Sequence, residues 1–148
     1  MSETTKSRAG QSTQGTALIT GAARRIGACI AETLHQRGCD VFLHYHSSSD
    51  AVEELAQKLN ALRPASATLL QADLGELEEI NRLADRLRDH TAQLDLLVNN
   101  ASRFFPTTVG ETSMTQWDDL MDSNLRGPYF LTQALVPELA TAGGSVVN

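Results

Sequence analysis

The sequence predicts an α/β protein built on a doubly wound parallel sheet, with helices on both faces, truncated after about the fifth strand. Three observations predict it. Short apolar runs alternate with stretches striped at helical spacing along the whole chain after its opening segment. The first run, Ala17-Leu18-Ile19, passes to the first stripe through glycines, in Thr20-Gly21-Ala22-Ala23-Arg24-Arg25-Ile26-Gly27. The polar, chemistry-bearing stretches stand where strands end, and open parallel sheets take ligands beyond the carboxyl ends of their strands.

The elements follow in order. Residues 1–14 are rich in Ser, Thr and Gln and read as a disordered polar tail, so the folded domain is placed at 15–148. After the glycine turn, Ile26, Ile30 and Leu34 recur at helical spacing, and Gly38 stops that helix before a strand from Val41 to His44. Ser47-Ser48-Ser49-Asp50 offers caps for a helix carrying Val52, Leu55, Leu59 and Leu62, which closes at Arg63-Pro64. Ala67–Gln71 is the third strand. Asp73 and Gly75 mark a turn into a helix striped by Leu77, Ile80, Leu83, Ala84 and Leu87, and Leu94–Val98 is the fourth strand. An irregular segment from Asn99 to Ser113 leads to a helical region from about Thr115 to Leu139, with a bend or break at Gly127-Pro128. Gly143-Gly144 then introduces Ser145–Asn148. No internal repeat or second-domain linker is visible.

Composition narrows the function. With 148 residues the chain can bury one substantial core, and its net charge of -6 argues against nucleic acid as a partner. No apolar run has the length of a membrane span and no secretory signal opens the chain, so a cytoplasmic location and no membrane partner are expected. The two cysteines, Cys29 and Cys39, lack metal or redox spacing and read as buried small hydrophobes. His44 and His46 share one face of a strand, yet no third ligand stands near them, so cofactor contact outweighs a metal site.

A strand entering a helix through glycines makes an anion site, because the first helical N–H groups have no intrahelical partner and the helix dipole adds positive charge. The glycine spacing is irregular, with Arg25 where a middle glycine is expected. A second strand in a dinucleotide fold usually ends near an acid that binds the ribose 2'-hydroxyl. Here it ends His44-Tyr45-His46-Ser47-Ser48, with no carboxylate before Asp50. Hydroxyls and imidazoles donate to a 2'-phosphate and Arg25 adds fixed charge, which favours NADP over NAD; the alternative is a polar loop that only caps the next helix. Asn99-Asn100-Ala101-Ser102 ends the fourth strand at the same crevice, although an Asn pair also suits a plain turn. Phe104 and Phe105 follow in a loop. A flat heteroaromatic substrate stacked on one ring would account for them, and so would a small hydrophobic cluster anchoring the loop.

Taken together, Thr20-Gly21 to Gly27, Ala72-Asp73-Leu74, Asn99-Asn100-Ala101 and Ser123-Asn124 resemble the short-chain dehydrogenase/reductase family over residues 15–148. Within it the chain is most similar to the pteridine reductases, through Arg25, His44-Tyr45-His46-Ser47 and Ser102-Arg103-Phe104. The resemblance implies a Rossmann-type dinucleotide-binding domain. It implies that Gly21, Arg25, Ile26, Gly27, His44, Tyr45, His46, Ser47 and Ser48 contact the phosphates and adenosine ribose of NADPH. Asp73 and Leu74 would contact the adenine, and Asn99, Ala101 and Ser102 the rest of the cofactor. Phe104 would stack on the pterin, Ser102 would also hydrogen-bond it, and Asn124 would match the family's catalytic asparagine. Where pteridine reductases often carry arginine after the His-Tyr-His run this chain has Ser47, so Arg24 or Arg25 would supply the charge.

The family's proton donor is a tyrosine followed four residues later by lysine. Tyr45 is followed there by Ser49 and Tyr129 by Gln133, so neither tyrosine of the chain has that partner. The expectation is therefore the cofactor-binding, amino-terminal part of an NADPH-dependent pteridine reductase, inactive by itself and tetrameric at full length through helices around 115–139. Two alternatives stand beside it: a general short-chain carbonyl, ketone or sugar reductase, and a non-catalytic nucleotide-binding or interaction protein.

Overall fold

A computed structural model describes residues 14–148. The proposed polar tail lies outside the described residues except for Gln14, whose N–H donates to the Gly38 carbonyl at 3.1 Å. In chain order the elements are β1 (Thr16–Ile19), α1 (Arg25–Gln36), β2 (Asp40–Tyr45), α2 (Ser49–Leu62), β3 (Ala67–Gln71), α3 (Leu77–Arg88) and β4 (Leu96–Val98). Then come α4 (Met114–Met121), a π-helical turn over Asp122–Arg126, α5 (Gly127–Ala134), α6 (Val136–Ala142) and β5 (Ser145–Val147).

All strand pairs are parallel and the order is β3-β2-β1-β4-β5. The chain winds outward from β1 to β3, then returns to the other side of β1, so the fold is doubly wound and its switch point lies between β1 and β4. Alternate strand residues feed two cores. Leu18, Phe42, Leu70 and Leu97 meet Ile80, Leu83 and Leu87 of α3 and Leu131 of α5 on one face. Ala17, Ile19, Val41, Leu43 and Val98 meet Ala31 of α1 and Val52, Leu55 and Leu59 of α2 on the other. Across the first core, buried Glu138 of α6 accepts Arg88 Nε at 2.6 Å, so α3 and α6 are joined by an ion pair.

Several expectations shift. The stripe Ile26-Ile30-Leu34 is one position off: the buried face of α1 is Gly27, Ala31 and His35. A Cβ on Gly27 would collide with the Gly21 carbonyl and lie 2.7 Å from Asn100 Nδ2, so close approach of backbones, not the apolar period, sets the helix phase. Cys29 is consequently exposed on the opposite face, and Cys39 is half-buried, its thiol pKa raised mainly by burial. β4 is shorter than expected, because the Leu94 N–H turns to the Glu138 carbonyl, 3.1 Å away, before pairing with β1 begins. Ser48 occupies the α2 N-cap position without a side-chain capping bond, whereas Ser113 and Gln116 form a reciprocal capping box on α4. The expected break at Gly127-Pro128 is a π-helical turn ending just before it. Pro128 has no N–H to give the preceding turn, and a Cβ on Gly127 would stand 2.6 Å from the Leu74 carbonyl.

Candidate functional site

The crevice at the carboxyl ends of β1 and β4 is assembled by contacts between residues about 80 apart. Thr20 Oγ1 donates to the Val98 carbonyl (3.3 Å) and accepts the N–H groups of Asn100 and Ala101, each at 2.9 Å. Asn100 Nδ2 in turn donates to the carbonyls of Thr20 (2.9 Å) and Gly21 (3.2 Å). Gly21 has φ +63°, and a Cβ there would lie 3.0 Å from Ala101 Cα, so glycine is needed for both conformation and space.

His44 braces the same turn from β2. It is 2% exposed, and its Nδ1 accepts the Gly21 N–H at 3.2 Å. That bond assigns the proton to Nε2, which donates to the Ala72 carbonyl at 3.0 Å. Burial holds the ring neutral, with its pKa pushed down to about 4. Both ring nitrogens are therefore engaged within the protein, and the expected donation from this imidazole to a 2'-phosphate gives way to support of the glycine turn. The two histidines do not act as a pair: His46 is exposed, its Nε2 3.5 Å from Asp73 Oδ2.

The first turn of α1 faces this crevice with its donors free. Among the described residues no side chain caps it and no acid stands in it. Arg25 opens the helix with φ +52°, a left-handed conformation that L residues other than glycine rarely adopt. It occupies the place of the missing glycine in backbone geometry as well as in sequence.

A cleft of about 440 Å³ results, and it gathers Gly21, Arg25, Ile26, Gly27, His44, His46, Asp73, Leu74, Ala101 and Ser102. Arg24 and Arg103 also line it. Asp73 Oδ1 is occupied by the Gly75 N–H at 2.8 Å, and the Leu74 side chain is buried in the core, which leaves the Leu74 backbone at the cleft. The remaining expected contacts lie elsewhere. Tyr45 packs toward the core under α1 and α2, on the far face of the sheet from His44. Ser47 lines a neighbouring charged groove with Arg82 and Arg86. Ser48 starts α2.

A second cleft, about 810 Å³, opens between the end of β4, α5 and β5, and holds Asn99, Asn124 and Tyr129. Ala101 and Ser102 line both clefts. Asn99 Nδ2 donates to Asn148 Oδ1 at 2.8 Å, while Asn99 Oδ1 is buried without a partner. Asn124 sits in the π-helical turn, where its carboxamide pairs with the backbone of Arg103: Oδ1 accepts the N–H (2.9 Å) and Nδ2 donates to the carbonyl (2.8 Å). Phe104, one residue on, is 89% exposed and lines neither cleft. Among the described residues no three His, Cys, Asp or Glu side chains gather as a metal site.

Thr20 and Asn100, which lock the turn to β4, stand in motifs that the sequence marks but to which it assigns no contact of theirs; the Asn pair is the available signal, and only the fold separates its members. The free donors of α1, the glycine cradle against Ala101 and the surrounding Arg24 and Arg25 fit the pyrophosphate of a dinucleotide.

The family profile for short chain dehydrogenase matches residues 15–148. Pteridine reductase 1 of Leishmania tarentolae is 38% identical over 84% of this chain and 54% of its own length. Short-chain dehydrogenase/reductase FrzI of Cladobotryum sp is 34% identical over 85% of this chain and 48% of its own. The 3-oxoacyl-(acyl-carrier-protein) reductase FabG of Staphylococcus epidermidis is 29% identical over 89% of this chain and 54% of its own. The chain thus spans about half the length of the curated relatives it matches.

Proposed function

Because the chain belongs to the short-chain dehydrogenase family, we propose that it supplies the NADPH-binding part of a pteridine reductase acting on a pterin, dihydropterin or folate. The observation that carries this reading is Arg25, held in a left-handed conformation at the start of α1 beside Arg24, in a cleft where β2 ends without a carboxylate. Two guanidinium groups, with no acid at the carboxyl end of β2 and the nearby Asp73 carboxylate engaged by the Gly75 N–H and facing His46, suit a 2'-phosphate.

In this reading the N–H groups opening α1 hold the pyrophosphate and Arg24 or Arg25 the 2'-phosphate. His46, Asp73 and the Leu74 backbone border the adenosine. When bound, the dinucleotide supplies the hydride. Ser102, shared by both clefts, orients a pterin by hydrogen bonding, and Phe104 covers it by stacking. Asn124 keeps the loop between them in place through Arg103. Proton donation by a Tyr-x-x-x-Lys pair is not among the chemistry of this chain, since Ser49 and Gln133 stand where the lysine would be. We place the enzyme in the cytoplasm; among the described residues no helix is long and apolar enough to cross a membrane. Trp117, Leu125, Tyr129 and Val136, exposed along α4 to α6, provide the surface for a homotetramer.

A carbonyl reductase is the second reading, favoured by the similarity to FabG. Calorimetric titration separates the two. NADPH should bind at least about tenfold tighter than NADH, as expected where one charged contact to phosphate contributes about 1.4 kcal/mol or more. Biopterin or folate should then bind the complex while a β-keto ester does not. Equal affinity for the two dinucleotides overturns the NADPH assignment, and binding of the keto ester alone transfers the reading to carbonyl reduction.

A further inference from the structure

We propose that the ion pair between Arg103 and Asp119 is a positioning device for Phe104, fixing the aromatic platform relative to the cofactor cleft. This rests on the reading of Phe104 as a stacking surface. Arg103 is held at three points: its N–H and carbonyl by the Asn124 carboxamide, and its guanidinium by Asp119 Oδ1 on α4. The two backbone bonds run to a single side chain and leave a hinge axis through the Arg103 backbone. The guanidinium contact lies off that axis and removes the hinge.

Beyond Arg103 the support stops. Among the described residues no hydrogen bond holds 104–107, and hydrogen bonding resumes at the Thr108 carbonyl, which accepts the N–H groups of Glu111 (3.0 Å) and Thr112 (3.1 Å). Arg103 is therefore the last fixed point before the Phe104 ring, and it also lines the cofactor cleft. The Arg103 and Asp119 side chains are 43% and 45% exposed, so their pair adds little to global stability. What it sets is the direction in which the loop leaves Arg103 toward Phe104, and a platform that must be ordered on binding costs affinity.

Asp119→Asn, its rescue Asp119→Glu and the reciprocal Arg103→Gln test this, with Phe104→Ala as the reference. Chymotryptic cleavage after Phe104 should quicken at least about threefold in Asp119→Asn and Arg103→Gln, at unchanged Tm in both and unchanged NADPH affinity in Asp119→Asn, and Asp119→Glu should restore the slow rate. Biopterin affinity in the NADPH complex should fall about two- to tenfold with the loss of the ion pair and at least about fivefold in Phe104→Ala. Unchanged cleavage overturns the clamp. Faster cleavage with unchanged biopterin affinity overturns its positioning role. If Phe104→Ala leaves biopterin affinity intact, it is the stacking reading that fails, and the role proposed for the ion pair fails with it.

Discussion

Acidification should weaken this fold through His44 before the carboxylates are titrated. The ring is buried with both nitrogens bonded, and its pKa is pushed down to about 4 from the 6.5 of an exposed histidine. At about 1.4 kcal/mol per pH unit, holding it neutral contributes up to about 3 kcal/mol. The unfolded chain takes up the proton near pH 6.5 and the folded chain only near pH 4, so the contribution is whole above pH 6.5 and declines as pH falls toward 4. Between pH 7 and pH 5 the loss from this residue is about 2 kcal/mol. His35, buried against Ser66 Oγ at 2.7 Å, shifts in the same direction, mainly by burial and then by Arg63. Urea unfolding at the two pH values, on the chain and on His44→Gln, isolates the His44 share, because every other group titrates in both proteins. His44→Gln should be less stable at pH 7 and lose about 2 kcal/mol less on acidification. Equal losses in the two proteins would refute the buried, neutral His44.

Gly27→Ala should lower stability by at least about 2 kcal/mol and abolish dinucleotide binding, since the new Cβ meets the Gly21 backbone instead of a yielding side chain; thermal melts and NADPH titration check both. Arg25→Gly should act in opposite directions on the same two readouts. Relief of the left-handed conformation raises stability by about 1 kcal/mol, while NADPH affinity drops toward that of NADH. An Arg25→Gly protein that is both less stable and unchanged in NADPH affinity would contradict the role given to this residue.

The parts of the fold that were legible in the sequence are those set by neighbouring residues. The glycine turn, the stripes of α2 and α3, and the alternation of elements depend on local periodicity, and the two cores reproduce the stripes except at Leu62, which the last turn of α2 leaves exposed. The α1 phase was not legible, because Gly27 is turned inward by a backbone that arrives from Gly21 and a side chain that arrives from Asn100, 73 residues on. The roles of His44 and His46 diverged for a related reason. A period of two places both on one face, yet only His44 lies where the Gly21 N–H and the Ala72 carbonyl converge, while His46 stands beyond the end of β2. Phe104 shows the same limit from the other side: its exposure was readable as a question, but the clamp that aims it depends on Asp119 and Asn124 in elements the loop meets only after folding.

These long-range bonds have a consequence for how ligand binding and folding are linked. The proposed pyrophosphate donors belong to the first turn of α1, but the turn that presents them is held by Thr20 and Asn100 across β1 and β4, and by His44 from β2. None of these bonds exists in a chain where only the first strand and helix have formed. The anion site is thus a property of at least three assembled strands, and a ligand that occupies it binds the native state alone. By mass action a dinucleotide at about 100 times its Kd stabilises the fold by about 2.7 kcal/mol. That is close to the support His44 loses on full protonation, so a saturating dinucleotide should largely offset acid destabilisation and shift the acid midpoint downward. The shift should vanish in Gly27→Ala, where the new Cβ meets the Gly21 carbonyl, and persist in Asp119→Asn, where only the proposed substrate platform is loosened.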